Sequence, residues 1–338
     1  MRLGAMVTAA AVGLAVAGFG HGAAADEVKL VFASQSPGGG PNSIFFNEWA
    51  KRVSDQSKGA LKIEVRDGET LANFGNVYER VTNDVIQIGW IIHGIVGNKF
   101  PLSDVLSLPF IVDDNVACSV AFWRLYKSGL LDAEYREVEP LWFGCLSTTY
   151  LHWAKDPKTT DNLNGLEFRV NNKVAGQVVQ LMGGTPISLA GGEMYEALQR
   201  GTVDGVTTSW AAFEPYKLIE VTSYHLEVPI GTTPSMHFMS RKKLEGLPQG
   251  VRDVILANSG EARSREMATY IDGSAKRARD AVIAAADKHK LVKLTPEQLA
   301  SWKARVASVT ENWIKERPGG DKVVVAFSKF YSDALAGH

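Results

Sequence analysis

Residues 165–210 read GLEFRVNNKVAGQVVQLMGGTPISLAGGEMYEALQRGTVDGVTTSW. The run divides into strand, helix, strand, helix and strand, the alternation of an α/β unit with parallel strands. Leu166, Phe168 and Val170 mark the first strand as buried, and Arg169 stands at its end. Open α/β sheets bind ligands in the crevice beyond the carboxyl ends of their strands. A guanidinium placed there can hold a carboxylate through two parallel N–H···O bonds.

Upstream, the chain begins a second unit of the same kind. Leu30 to Ala33 reads as a strand, followed by a Gly/Pro loop over Ser36 to Pro41. A helix from about Asn42 sets Phe46, Trp49, Ala50 and Val53 on one face, and Gly59 ends it. Leu61, Ile63 and Val65 alternate as a strand, and a helix over Asn76 to Thr82 leads into a nearly continuous apolar strand, Val85 to Trp90. Leu141 to His152 reads as one long strand able to cross between the units, and Met236 to Ser240 as the return. A helical stretch follows from Gly250 to Lys288, interrupted or softened at Gly260 and Gly273. Thr295-Pro296-Glu297-Gln298 is a capping box with proline at the first helical position.

These segments resemble the substrate-binding proteins of TRAP transporters, the DctP-like family. The resemblance rests on Gly165, Leu166, Arg169 and Val170, then Ala197-Leu198-Gln199 and Val203-Asp204-Gly205. Leu108-Pro109-Phe110 with the acidic pair after it, and Thr295 to Gln298, extend it over nearly the whole chain. It implies two α/β domains with mostly parallel sheets, crossing strands as the hinge and a long helix spanning both domains. The divisions expected are 26–145 with 234–272, and 146–233 with 273–338. It further implies a receptor that closes on an organic acid, with Arg169 clamping the carboxylate, and passes it to a TRAP membrane permease. Two departures stand out. The crossing strand, Cys145 to His152, lacks the family's second arginine, and Thr208 replaces a ligand-contacting asparagine. The pocket is therefore expected to be less charged and richer in hydroxyls and aromatics.

The first 25 residues read as a secretory leader: Met1-Arg2, an apolar run from Met6 to Phe19, and Ala23-Ala24-Ala25 before Asp26. That run is shorter than the ~20 residues needed to span a bilayer, so a periplasmic protein, monomeric, is expected. Removing the leader leaves about 313 of 338 residues, more than one core commonly serves. A formal charge of −1 without a basic stripe argues against nucleic-acid binding. An oxidising compartment permits a disulfide between Cys118 and Cys145, but their apolar neighbours favour two buried free thiols.

No enzymatic constellation stands out. HExxH spacing, a G-x-S-x-G elbow and C-x-x-C are all missing, and Gly38-Gly39-Gly40 lacks the rest of a phosphate-binding motif. No cofactor or metal is expected. A sensor input protein binding the same ligand is an alternative, and a periplasmic enzyme acting on a carboxylated substrate a more distant one. The candidate ligand-binding residues are Arg169, Thr208, Trp210, Trp90, Tyr150, Asn172, Ser34, Gln35 and His93, all at or beside expected strand ends. Asn171 or Asn172 is also suited to cap the next helix. Glu193, Met194 and Tyr195 read as a helix start.

Overall fold

The structure is a computed structural model, and it describes residues 27–170 and 172–337. The expected leader, 1–25, lies outside the described residues. The first unit comprises β1 (Val28–Ala33), α1 (Pro41–Gln56), β2 (Leu61–Arg66), α2 (Val77–Thr82), β3 (Ile88–Ile92), α3 (Asn115–Lys127) and β4 (Val138–Cys145). The second comprises β5 (Tyr150–Trp153), β6 (Glu167–Val170), α4 (Lys173–Leu181), β7 (Thr185–Ser188), α5 (Met194–Arg200), β8 (Gly205–Thr208) and β9 (Tyr224–Leu226). The chain then returns through β10 (Pro234–Ser240), α6 (Arg241–Glu245) and α7 (Gln249–Ala257). It closes with α8 (Glu261–Ala284), β11 (Lys290–Val292), α9 (Pro296–Glu316) and α10 (Gly320–Leu335).

Two sheets result, ordered β2-β1-β3-β10-β4 and β11-β9-β5-β8-β6-β7. β1 pairs parallel with β2 and β3, and β6 with β7 and β8, as the alternating strands and helices require. The crossing strands differ. β10 is antiparallel to β3 and β4, and β5 to β8 and β9, so each sheet is mixed, with one reversed strand among strands that otherwise run in the same direction.

This pairing orients the cleft. β4 runs in the same sense as β3, so Cys145 leaves the first sheet at its carboxyl edge. Tyr150 enters the second sheet opposite Thr208, at that sheet's carboxyl edge. β9 leaves from the same rim, and Pro234 enters the first sheet opposite Cys145. Both crossings therefore join the two carboxyl edges, which face each other. The crossings also bond to one another, through Leu146 N–H to Thr233 O at 3.0 Å and Thr149 N–H to Gly231 O at 2.8 Å. Gly231 has φ +108°, and a Cβ there would lie 2.1 Å from the Ser107 carbonyl oxygen, so only glycine allows this approach.

Four expectations need correction. The apolar run from Val85 becomes a strand only at Ile88, because Asp84 turns with φ +57° and leaves Val85 57% exposed. The run Leu141 to His152 is two strands, broken where Ser147 adopts φ +70°. The helical stretch is interrupted at Gly260, with φ +93°, as expected, but α8 continues straight through Gly273. Cys118 and Cys145 are not free thiols. α3 lies on β4, bringing their Cα atoms to 6.1 Å in a disulfide, while Cys145 N–H donates to Ser119 Oγ at 2.9 Å.

α8 spans both units. Arg124 grips Glu261 near its start, Phe143 N–H donates to Ser264 Oγ, and Trp142 Nε1 meets the Met267 sulfur. Near the other end Arg279 binds Glu227 of the second unit. The last helix, α10, lies against α3, and Tyr331 OH accepts from Asp113 and Asp114 N–H. That seats it on the first unit, whereas residues 273–338 were expected with the second. Helix ends follow the sequence signals: Asn172 accepts from Ala175 N–H, and Thr295 and Gln298 form the reciprocal capping box.

Candidate functional site

Arg169 is the third residue of β6, between Ile187 on β7 and Val206 on β8. It is 8% exposed. Its Nε donates to Leu189 O at 3.0 Å and Nη1 to Thr207 O at 3.4 Å. Burial pulls its pKa down to about 10, against the opposing influence of Tyr216 and Glu193. No described carboxylate forms an ion pair with it. Among the described residues its hydrogen-bond partners are carbonyl oxygens, and a buried guanidinium without a counter-charge is costly. An incoming carboxylate is the group that would neutralise it.

Thr208, Tyr150 and Trp210 gather on the same rim. Thr208 ends β8 directly opposite Tyr150, the first residue of β5. Burial and the neighbouring Glu227 charge push the Tyr150 hydroxyl up to about 12, so it stays protonated and able to donate. Trp210 is buried, and its Nε1 donates to Glu227 Oε1 at 3.1 Å. Tyr150 and Trp210 line a cavity of about 360 Å³ with Ser147, Thr148, Asp272 and Arg279. Arg169 is outside that cavity, farther along the rim. Asn172 is occupied as the α4 cap, which accounts for its side chain without a ligand.

The first unit contributes less than expected. Trp90 lies in the core, 4.9 Å from Phe74 and nearly parallel to His237 at 5.7 Å, because strand alternation turns it toward α1. Its Nε1 has no hydrogen-bond partner among the described residues. His93 is also a core residue, packed against Phe100 and Phe122 with Nε2 2.9 Å from Tyr135 OH. Burial lowers its pKa to about 3. Ser34 is fully buried and stabilises a turn by accepting from Ser36 N–H. Gln35 binds Ala72 O through Nε2 while its buried Oε1 lacks a partner. Asp67, missed in the sequence, sits just past β2 with Oδ2 accepting from Ser43 and a buried Oδ1 unpartnered. Its place at a strand's carboxyl end is the signal that would have singled it out. Glu227, which follows β9 in the same way, was missed too.

Among the described residues no group of three or more His, Cys, Asp and Glu side chains could hold a metal ion, and no helix is long and apolar enough to cross a membrane. Residues 32–316 match bacterial extracellular solute-binding protein family 7, the DctP family. The chain belongs to this family. A TRAP solute-binding protein from an unidentified marine microbe, specific for aromatic acid ligands and bound to metahydroxyphenylacetate, superposes with TM-score 0.84. It is 25% identical, over 91% of this chain and 99% of its own. A TRAP solute-binding protein of Rhodoferax ferrireducens T118 with copurified benzoate shares the fold at TM-score 0.83, with 22% identity over 92% of this chain and all 100% of its own. The C4-dicarboxylate-binding periplasmic protein DctP of Rhodobacter capsulatus is 25% identical over 335 residues, 95% of this chain and 96% of the relative. Family 7 proteins are receptors of transport systems and not enzymes.

Proposed function

We propose that this chain is the periplasmic receptor of a TRAP transporter and captures an aromatic monocarboxylate between its two domains. The observation that carries the reading is Arg169: buried, cationic, at a carboxyl edge and without an acidic partner among the described residues. The ligand's carboxylate lies on its guanidinium, Tyr150 and Thr208 supply hydroxyls, and Trp210 supplies an apolar wall. Gln35 and Asp67 offer acceptors from the facing domain. Contacts from both sides favour the closed form, since a ligand shifts an equilibrium only through differential affinity.

A second acid group would find no second buried cation without an acidic partner on this rim among the described residues; Lys173 and Lys276 are exposed. The crossing strand carries no arginine, and Arg279 is already bound to Glu227. That disfavours dicarboxylates, and the likeness to the aromatic-acid receptor points the same way. The leader is removed after Ala25, the mature protein acts as a monomer, and the loaded receptor docks on the membrane permease subunits. A thermal-shift screen tests the ligand class. Benzoate, 3-hydroxybenzoate and mandelate at a hundredfold excess over Kd should each stabilise by ~2.7 kcal/mol, with succinate and malate leaving the melt unchanged. Stabilisation by the dicarboxylates alone would overturn the class.

A further inference from the structure

Three histidines from three elements meet behind Thr208. His152 on β5 lies opposite His225 on β9, and His289 immediately precedes β11. His152 Nε2 is 3.3 Å from Thr208 O, His152 Nδ1 is 3.0 Å from His225 Nδ1, and His225 Nε2 is 3.1 Å from His289 Nδ1. His152 and His225 are fully buried, whereas His289 opens into a surface cavity with Lys155, Glu220 and Lys288. The first two rings also frame Trp210, at 4.7 and 5.1 Å between centroids.

Only one proton arrangement satisfies all three contacts with neutral rings. A carbonyl oxygen accepts and never donates, so His152 carries its proton on Nε2. Its Nδ1 is then an acceptor, which places the His225 proton on Nδ1. His225 Nε2 in turn accepts, which places the His289 proton on Nδ1. Every N–H in the chain points inward, toward Thr208, and the outermost acceptor, His289 Nε2, faces solvent.

We infer that His152, His225 and His289 are positioning residues, an oriented imidazole chain that fixes the Thr208 backbone and the Trp210 ring where the ligand meets them. The inference rests on the carboxyl-edge reading of the ligand site. His152 holds the carbonyl of the residue that ends β8. The paired rings hold the indole from behind while Glu227 holds its edge. His289 fixes the direction of the chain from outside, because a donor at its Nδ1 leaves His225 one way to face.

The test has two arms. In ligand-free protein labelled with 15N-histidine, long-range 1H–15N correlation of the rings should show His152 protonated on Nε2, and His225 and His289 on Nδ1. Nε2 protonation at His225 or His289 overturns the chain. In the second arm calorimetry follows 3-hydroxybenzoate binding. His225→Leu should weaken it about tenfold, as expected when the buried hydrogen bond that orients His152 is lost. His225→Gln, which keeps a donor and an acceptor, should restore affinity to within about threefold. His289→Leu, at the half-exposed end, should weaken binding in a protein that folds normally, and is decisive where His225→Leu does not fold. Wild-type affinity in both leucine variants overturns the positioning role. A wild-type protein that binds none of the carboxylates overturns the ligand reading and the positioning role with it, while the tautomer pattern is still read independently.

Discussion

Arg279 of α8 holds Glu227 beyond β9 through Nε at 2.5 Å and Nη2 at 2.9 Å, and Glu227 passes that restraint to Trp210. The spanning helix thereby fixes an aromatic wall of the candidate site. Burial alone would raise the Glu227 pKa, but the Arg279 hydrogen bonds and charge outweigh it, so the carboxylate is favoured. Its stabilisation is complete above the ordinary carboxylate range and lost as pH falls through the lowered value.

Glu227→Ala should therefore cost on the order of 2–3 kcal/mol, since it strips a charged acceptor from both Arg279 and Trp210. Urea unfolding measures the loss, and tryptophan emission should shift to longer wavelength in the folded variant. A change under about 0.5 kcal/mol would place the pair among ordinary surface ion pairs.

The disulfide closes a loop with a sequence separation of 27. Chain entropy then assigns it about 3.5 kcal/mol of stability. Cys118→Ser with Cys145→Ser should lower the urea midpoint accordingly, and thiol titration of the denatured wild-type protein should find no thiol before reduction. Two reactive thiols in protein isolated from the periplasm would contradict the pairing.

Acid should weaken the fold before carboxylates titrate. Burial holds His93 and His225 at about 3, below the ordinary histidine value of about 6.5, so the native state prefers their neutral forms. Their contribution is fully present above pH ~6.5 and falls as the unfolded state binds protons that the native state refuses, by about 1.4 kcal/mol per pH unit for each ring. Between pH 6 and 5, His93→Gln should reduce the slope of unfolding free energy against pH by close to one proton. An unchanged slope would mean that His93 is already charged or solvated in the native protein.

The architecture was legible because helical and strand periodicities alternate along nearly the whole chain, and Arg169, Thr208 and Tyr150 fall at strand ends. Face assignment was harder. Ile88 to Ile92 is apolar throughout, so nothing in IGWII tells which way Trp90 points, and it turned into the core. The break at Ser147 was hidden for a different reason: its left-handed backbone is fixed by the crossing, where Thr232 Oγ1 donates to Ser147 O, 85 residues away in sequence. The disulfide and the histidine chain share this character. Each depends on elements brought together by the sheet and helix arrangement, such as His152 and His225, 73 residues apart. Local pattern carries no such pairing.

Arg169 offers the most direct test. Calorimetric titration of wild type, Arg169→Ala and Arg169→Lys with 3-hydroxybenzoate, beside their thermal melts, separates ligand clamp from structural strut. Loss of a buried charged partner should cost the alanine variant ~2–5 kcal/mol of binding. The lysine variant should lose most of the affinity as well, because a point-charge ammonium cannot reproduce the planar fork. Melting temperatures should move far less than affinity. Near-normal binding with a collapsed melting temperature would contradict the carboxylate assignment and make Arg169 a brace between β6, β8 and the Leu189 loop.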